Sequence, residues 1–142
     1  MKFKNTFLDQ LEPYSPGEQA KTKNFIKLNT NENPFPPSKN VINSLKKFDF
    51  NNLRKYPDPN SLNLKKALGQ KFNLSSDNVF VGNGSDEVLS LIFLAFFRGK
   101  KILFPEITYS FYSSFAKLAL GKFKTIPLEE DFSINLEKYN KS

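Results

Sequence analysis

At 142 residues and 39% hydrophobic content, the chain is long enough for one ordinary domain and apolar enough to bury a core. Its 21 Lys and Arg against 14 Asp and Glu give a formal charge of +7, but the lysines are scattered through nearly every segment, which argues against a nucleic-acid-binding block. With no Cys and no His, disulfides, thiolate metal sites, a thiol nucleophile and the commonest general base are excluded, so any chemistry rests on other groups or on a cofactor.

The absence of a long apolar span and of a signal-peptide pattern sets a soluble cytoplasmic protein as the expectation. Sixteen Phe, five Tyr and no Trp predict a core filled by Phe.

Residues 1–24 are polar, carry Pro13-Tyr14-Ser15-Pro16-Gly17, and read as an arm. Phe25 to Leu28 alternates apolar and polar, and Asn29 to Pro37 is too rich in Asn and Pro for regular structure. Ser38 then caps a helix with Val41, Ile42 and Leu45 on one face, ending near Lys47. In the irregular piece Asn51 to Asn60, Tyr56 is pushed to an extended conformation by Pro57. From Ser61, Leu64, Ala67, Leu68 and Phe72 describe an amphipathic helix, and Ser75-Ser76-Asp77-Asn78 is a polar turn.

The organising stretch follows. Val79, Phe80 and Val81 predict a strand, Gly82-Asn83-Gly84 a turn, and Ser85 the N-cap of an apolar helix from Val88 to Phe97 that ends before Gly99. Unpartnered N–H groups at such a helix start converge with the helix dipole to form an anion site, most often for phosphate. Asp86 and Glu87 would repel a phosphate unless their side chains point away, so the backbone must do the holding. Ile102 to Phe104 predicts a second strand, Thr108 to Leu120 a helix stopped by Gly121, and Lys124 to Leu128 a third strand.

That alternation predicts an α/β fold, with a parallel sheet, right-handed crossovers and flanking helices. Ligands of such sheets bind outside the carboxyl ends of the strands, which puts Gly82 to Glu87 and Pro105 to Tyr109 on one edge. The apolar character of the central helix nearly all round predicts burial on more than one side. With no closing helix expected near residues 135–142, the chain reads as a truncated one: residues 1–50 an arm and entrance segment, 51–142 the first part of a larger domain.

The order and spacing of several pieces carry a resemblance. They are the Pro13-Tyr14 arm, Leu28-Asn29-Thr30-Asn31-Glu32-Asn33-Pro34, Arg54-Lys55-Tyr56-Pro57-Asp58, Gly82-Asn83-Gly84-Ser85-Asp86-Glu87, Pro105-Glu106-Ile107-Thr108-Tyr109-Ser110-Phe111-Tyr112 and Asp131-Phe132. Over most of its length the chain resembles the N-terminal part of the histidinol-phosphate aminotransferases, pyridoxal 5′-phosphate enzymes of the aspartate aminotransferase fold type. The resemblance implies that backbone N–H groups of Ser85, Asp86 and Glu87 hold the cofactor phosphate and that Tyr109 stacks on the pyridine ring. It implies that Tyr56 reaches the cofactor phosphate of the other subunit of a homodimer, that Tyr14 lies near the substrate, and that Asn31 and Glu32 line the substrate entrance. Before Thr-Tyr the family usually has Pro, where this chain has Ile107. The Schiff-base lysine lies beyond Ser142, so no catalytic residue is carried over; no metal, nucleic acid or membrane partner is implied.

The expected activity is transfer of an amino group between histidinol phosphate and 2-oxoglutarate or glutamate in L-histidine biosynthesis. An aromatic or broad-range aminotransferase and a threonine-phosphate decarboxylase share these motifs. Other readings of the same residues stay open: a plain strand-to-helix turn at Gly82-Asn83-Gly84, packing residues at Tyr109 and Tyr56, a linker from Asn29 to Pro37, and a non-enzymatic phosphate- or nucleotide-binding module.

Overall fold

The computed structural model describes residue 3 and residues 5–11, 17–18 and 26–141. Tyr14, most of the arm around it and Phe25 lie outside the described residues. Two compact units divide the chain, Met1–Glu12 with Leu62–Ser142 and Pro13–Ser61.

Within Pro13–Ser61, helix α1 runs Lys39–Lys46, and the Ser38 hydroxyl caps it by accepting from the Val41 N–H at 3.3 Å. Its Val41, Ile42 and Leu45 face is formed as expected but none of it is buried. A 3-10 turn, Phe50–Arg54, starts at Asp49, whose carboxylate accepts from the Asn51 N–H. Ile26 and Leu28 are exposed and belong to no strand, and Asn29 to Pro37 is irregular, with Thr30 and Asn31 in the left-handed region.

The other unit opens its ordered core-bearing part with α2, Leu62–Phe72, whose single buried residue is Gly69. The chain doubles back there, with the Leu74 N–H donating to the Gly69 carbonyl at 2.8 Å. Leu64 and Phe72 of its apolar stripe are exposed. A 3-10 turn, Ser76–Asn78, is capped by Ser75 and leads into Val79, which is extended.

Val79 to Val81 does not form the expected strand. β propensity supplies an extended backbone, but a strand needs a neighbour to satisfy its ladder, and among the described residues none pairs with it. The central helix α3 spans Ser85–Phe96, and its N-cap is Gly84, not Ser85. At φ 90 and ψ 168 the cap occupies a region open essentially to glycine alone, which moves the helix start one residue forward.

Strand β1, Lys101–Pro105, pairs in parallel with β2, Lys122–Ile126, with Lys101 opposite Lys122 and Pro105 opposite Ile126. The crossover is α4, Phe111–Leu118. It starts three residues later than the expected Thr108, leaving Thr108 and Tyr109 in the loop. Strand β2 ends two residues before the expected Leu128, because Pro127 has no N–H for a ladder and the Leu128 N–H goes instead to the Glu106 carboxylate at 3.2 Å. Helix α4 closes in a Schellman motif: the Gly121 N–H donates to the Ala116 carbonyl and the Leu120 N–H to Lys117. Leu120, not glycine, takes the left-handed position at φ 53.

The core is aromatic, as the Phe content implies. Phe93 from α3, Ile102 and Phe104 from β1, and Phe115, Ala116 and Ala119 from α4 and its end form one buried cluster. Phe93 and Phe115 lie 5.7 Å apart between centroids and Phe104 and Tyr112 5.9 Å. Each buried Phe or Ile contributes about 1.5–3 kcal/mol. Of α3 only Phe93 is buried, while Leu91, Leu94 and Phe96 are exposed, so the expected burial on more than one side is not met. Only α4 among the described helices packs closely on it. A short helix α5, Leu136–Asn140, does occur near the end, against expectation; Asn135 caps it by accepting from the Glu137 N–H at 3.0 Å. Among the described residues no helix is long and apolar enough to cross a membrane.

Candidate functional site

The site forms where the turn before α3 meets the loop after β1. In the turn, the Gly84 N–H donates to the Gly82 carbonyl at 3.0 Å, folding the backbone tightly around Asn83. The next three N–H groups, of Ser85, Asp86 and Glu87, open α3 and have no preceding helical carbonyl to reach; no side chain caps them from Gly84. The dipole of α3 adds roughly half a positive charge at that end.

The two acidic side chains at the helix start are both engaged. Glu87 turns back, and its Oε2 accepts from the Asn83 N–H, a variant of the capping box shifted one residue outward. Gly82 is moulded to that contact: a Cβ there would lie 2.8 Å from Val88 Cγ2 and 2.9 Å from Glu87 Oε2. Asp86 reaches across to the other loop, where its Oδ1 accepts from the Tyr109 hydroxyl at 2.7 Å. These donors delocalise the carboxylate charges and commit both groups to the scaffold.

Tyr109 owes its place to the late start of α4. Its ring stacks on Phe111, with centroids 5.6 Å apart at 21°, and meets the edge of Tyr112 at 5.9 Å. It nonetheless stays 42% exposed. Glu106 holds the loop from below: its N–H donates to the Ile126 carbonyl at 3.0 Å, and its carboxylate receives the Leu128 N–H. The loop after β1 is thereby tied to the chain leaving β2.

Of the residues singled out from the sequence, Ser85, Asp86, Glu87 and Tyr109 thus come together. Asn31, Glu32 and Tyr56 belong to the Pro13–Ser61 unit. There Tyr56 is fully exposed, Asn31 is left-handed at φ 50, and Glu32 forms an ion pair with Lys27. The Lys27 hydrogen bond and charge hold the Glu32 carboxyl below the usual glutamate range. Tyr14 lies outside the described residues.

From sequence alone, Asp86 and Glu87 enter the site only through their backbones. The side-chain role of Glu87 had no capping-box signal in the sequence, because Glu87 stands two residues after Ser85, the expected cap, and three after Gly84, which becomes the cap only in the folded turn. Asp86 and Tyr109 stand 23 residues apart, and no local pattern links them. The anchoring by Glu106 likewise depends on a contact formed only when β1 and β2 pair.

Comparison with known proteins identifies the family. The family model for aminotransferase class I and II matches residues 23–142. The histidinol-phosphate aminotransferase of Brachyspira hyodysenteriae is 52% identical over 130 residues, covering 91% of this chain and 37% of that protein. That of Clostridium acetobutylicum is 50% identical over 139 residues, 97% of this chain and 40% of its own length. That of Syntrophus aciditrophicus is 47% identical over 132 residues, 92% and 37%. The chain spans about two fifths of the length of these curated relatives. On the match of the family model and the level of identity, the chain belongs to the class I and II aminotransferases.

Proposed function

We propose that this chain is the phosphate-gripping and ring-stacking part of a pyridoxal 5′-phosphate-dependent aminotransferase that moves an amino group between histidinol phosphate and 2-oxoglutarate in L-histidine biosynthesis. The names and identities of the relatives support the substrate. The observation that carries the cofactor is the juxtaposition of the open N–H groups of Ser85, Asp86 and Glu87 with the Tyr109 ring, across a 2.7 Å hydrogen bond.

The residues present fit that group. A phosphate needs several converging donors and no free carboxylate among them, and both local carboxylates are turned to other partners. A pyridine ring needs an aromatic surface, and Tyr109 is backed on one side by Phe111 while remaining partly exposed. When bound, pyridoxal 5′-phosphate supplies the electron sink for amino-group transfer. The chain's own part is orientation. Its amides fix the phosphate end, and Tyr109 sets the plane of the ring.

In this reading residues 51–142 open the large cofactor domain, while residues 1–50 serve as arm and substrate entrance, with Tyr14, Asn31 and Glu32 near the substrate. Full exposure of Tyr56 supports its reaching the cofactor phosphate of a partner in a cytoplasmic homodimer. The reactive lysine and the substrate-gripping arginines come from the length of the relatives that this chain does not span.

Amide-resolved NMR tests the grip. Pyridoxal 5′-phosphate is expected to shift the amide signals of Ser85, Asp86 and Glu87, pyridoxal without phosphate to leave them nearly unmoved, and a nucleoside triphosphate to bind more weakly. Preference for the nucleotide would overturn the reading. For the activity, the chain joined to the C-terminal part of the Clostridium acetobutylicum relative should transaminate histidinol phosphate, whereas the 142-residue chain alone should not.

A further inference from the structure

We propose that Asp86 is a positioning residue: its carboxylate sets the orientation of the Tyr109 ring at the mouth of the helix-start site, coupling the anion-binding turn to the aromatic surface. This rests on the reading of that site as a grip for pyridoxal 5′-phosphate, and gives a side-chain role to a residue otherwise assigned through its backbone.

Tyr109 sits in a loop, outside α4, so no helical neighbourhood restricts its side chain. Stacking on Phe111 and the edge contact with Tyr112 define a plane, yet stacked rings slide over one another at little cost. A phenol hydrogen-bonded to a carboxylate at 2.7 Å has its far end fixed as well. The carboxylate in question is rigidly placed, because Asp86 is the second residue of a twelve-residue helix whose approach is packed by Gly82 and Glu87. Displacement of the turn therefore moves Asp86, and Asp86 moves the ring.

The same bond has an electrostatic consequence. A carboxylate at the mouth of a phosphate site opposes the phosphate, and the Tyr109 hydroxyl both disperses its charge and commits it to the loop. Tyr109 and Asp86 thus correct one another's faults: the ring gains an anchor, and the acid gains a partner.

A double-mutant cycle on the full polypeptide tests this, with pyridoxal 5′-phosphate affinity measured by titration. Asp86→Ala and Tyr109→Phe are each expected to weaken binding by about tenfold, and the double variant also by about tenfold, because each change removes the same bond. Asp86→Asn keeps an accepting oxygen and should bind within about threefold of the unsubstituted protein. A second readout needs no cofactor: in protein labelled at the tyrosine Cζ carbon, Asp86→Ala should shift the Tyr109 signal and Asp86→Asn should restore most of it. Additive losses of about a hundredfold in the double variant, or an unshifted Tyr109 signal, would overturn the positioning role while leaving the cofactor reading intact. Tighter binding by both Asp86 variants would do the same, since it would show that the carboxylate only repels. Failure of the unsubstituted protein to bind pyridoxal 5′-phosphate would overturn the cofactor reading and this role with it.

Discussion

Gly121 lies against Ile102 with no room for a side chain: a Cβ at Gly121 would stand 2.9 Å from Ile102 Cδ1 and 3.0 Å from the Lys100 carbonyl oxygen. At Gly121 the chain leaving α4 therefore offers only backbone to the start of β1. Gly121→Ala is expected to destabilise the chain by about 1–3 kcal/mol, since the carbonyl cannot swing aside as a side chain would. Urea unfolding checks the value. An unchanged midpoint would mean that the crossover tolerates a wider gap.

The glycines before α3 are needed for different reasons, and substitution separates them. Gly84→Ala meets no atom within 4 Å but must hold φ near 90, so it is expected to cost about 1–3 kcal/mol through backbone strain. Gly82→Ala has instead to push against Glu87 and Val88. It should release the Glu87 carboxylate from Asn83 and weaken pyridoxal 5′-phosphate binding at least as much as Glu87→Ala does. The comparison of the two by cofactor titration is the check.

Acid should loosen the C-terminal turn before the rest of the fold. Hydrogen bonds from Lys138 and Asn135 hold the Glu129 carboxyl below the usual glutamate value of 4.5. Its folded-state pKa is the lower one, so its stabilising effect is complete above about pH 4.5 and disappears as pH falls through the depressed value. The amides of α5 are expected to exchange faster with hydrogen isotope below that point. In Glu129→Gln this acid-dependent change should be largely absent.

One face of α3 is expected to set the chain's behaviour in solution. Phe80, Val88, Leu91, Ile92, Ala95 and Phe96 line a cleft that is almost wholly apolar, and Phe96 is 71% exposed. The 142-residue chain is expected to self-associate through it at micromolar concentration. Replacing Leu91 and Phe96 together by Ser should shift sedimentation toward the monomer without loss of the Phe93 and Phe115 core, which lies on another side of the helix.

Local chemistry was sufficient to read several elements directly. The Ser38 cap of α1, the Ser75 turn, the place of β1, though it runs one residue further at each end than expected, and the glycine turn before α3 all follow from residues within a few positions of one another, because capping and φ preferences act over that range. The family was legible too, since order and spacing of motifs survive where no single motif is specific. Misplaced boundaries had causes beyond that range. Val79 to Val81 has strand-forming residues but no neighbour, and Ser85 yielded the cap to Gly84 because the turn demanded a backbone only glycine adopts.

What the sequence by itself determined is the presence of a helix start behind a glycine turn and a tyrosine after the next strand. The tertiary structure decided their relationship. Asp86 and Tyr109 meet because β1 and α3 converge on a shared core of Phe93, Phe104 and Phe115, and contacts across 23 residues are set by packing of that core, not by any preference of the residues between. The same holds for Glu106, whose two partners, Ile126 and Leu128, arrive only when β2 aligns with β1. Local propensities act through bonds a few residues long, whereas the direction of a side chain toward a distant partner follows from how whole elements bury their apolar faces.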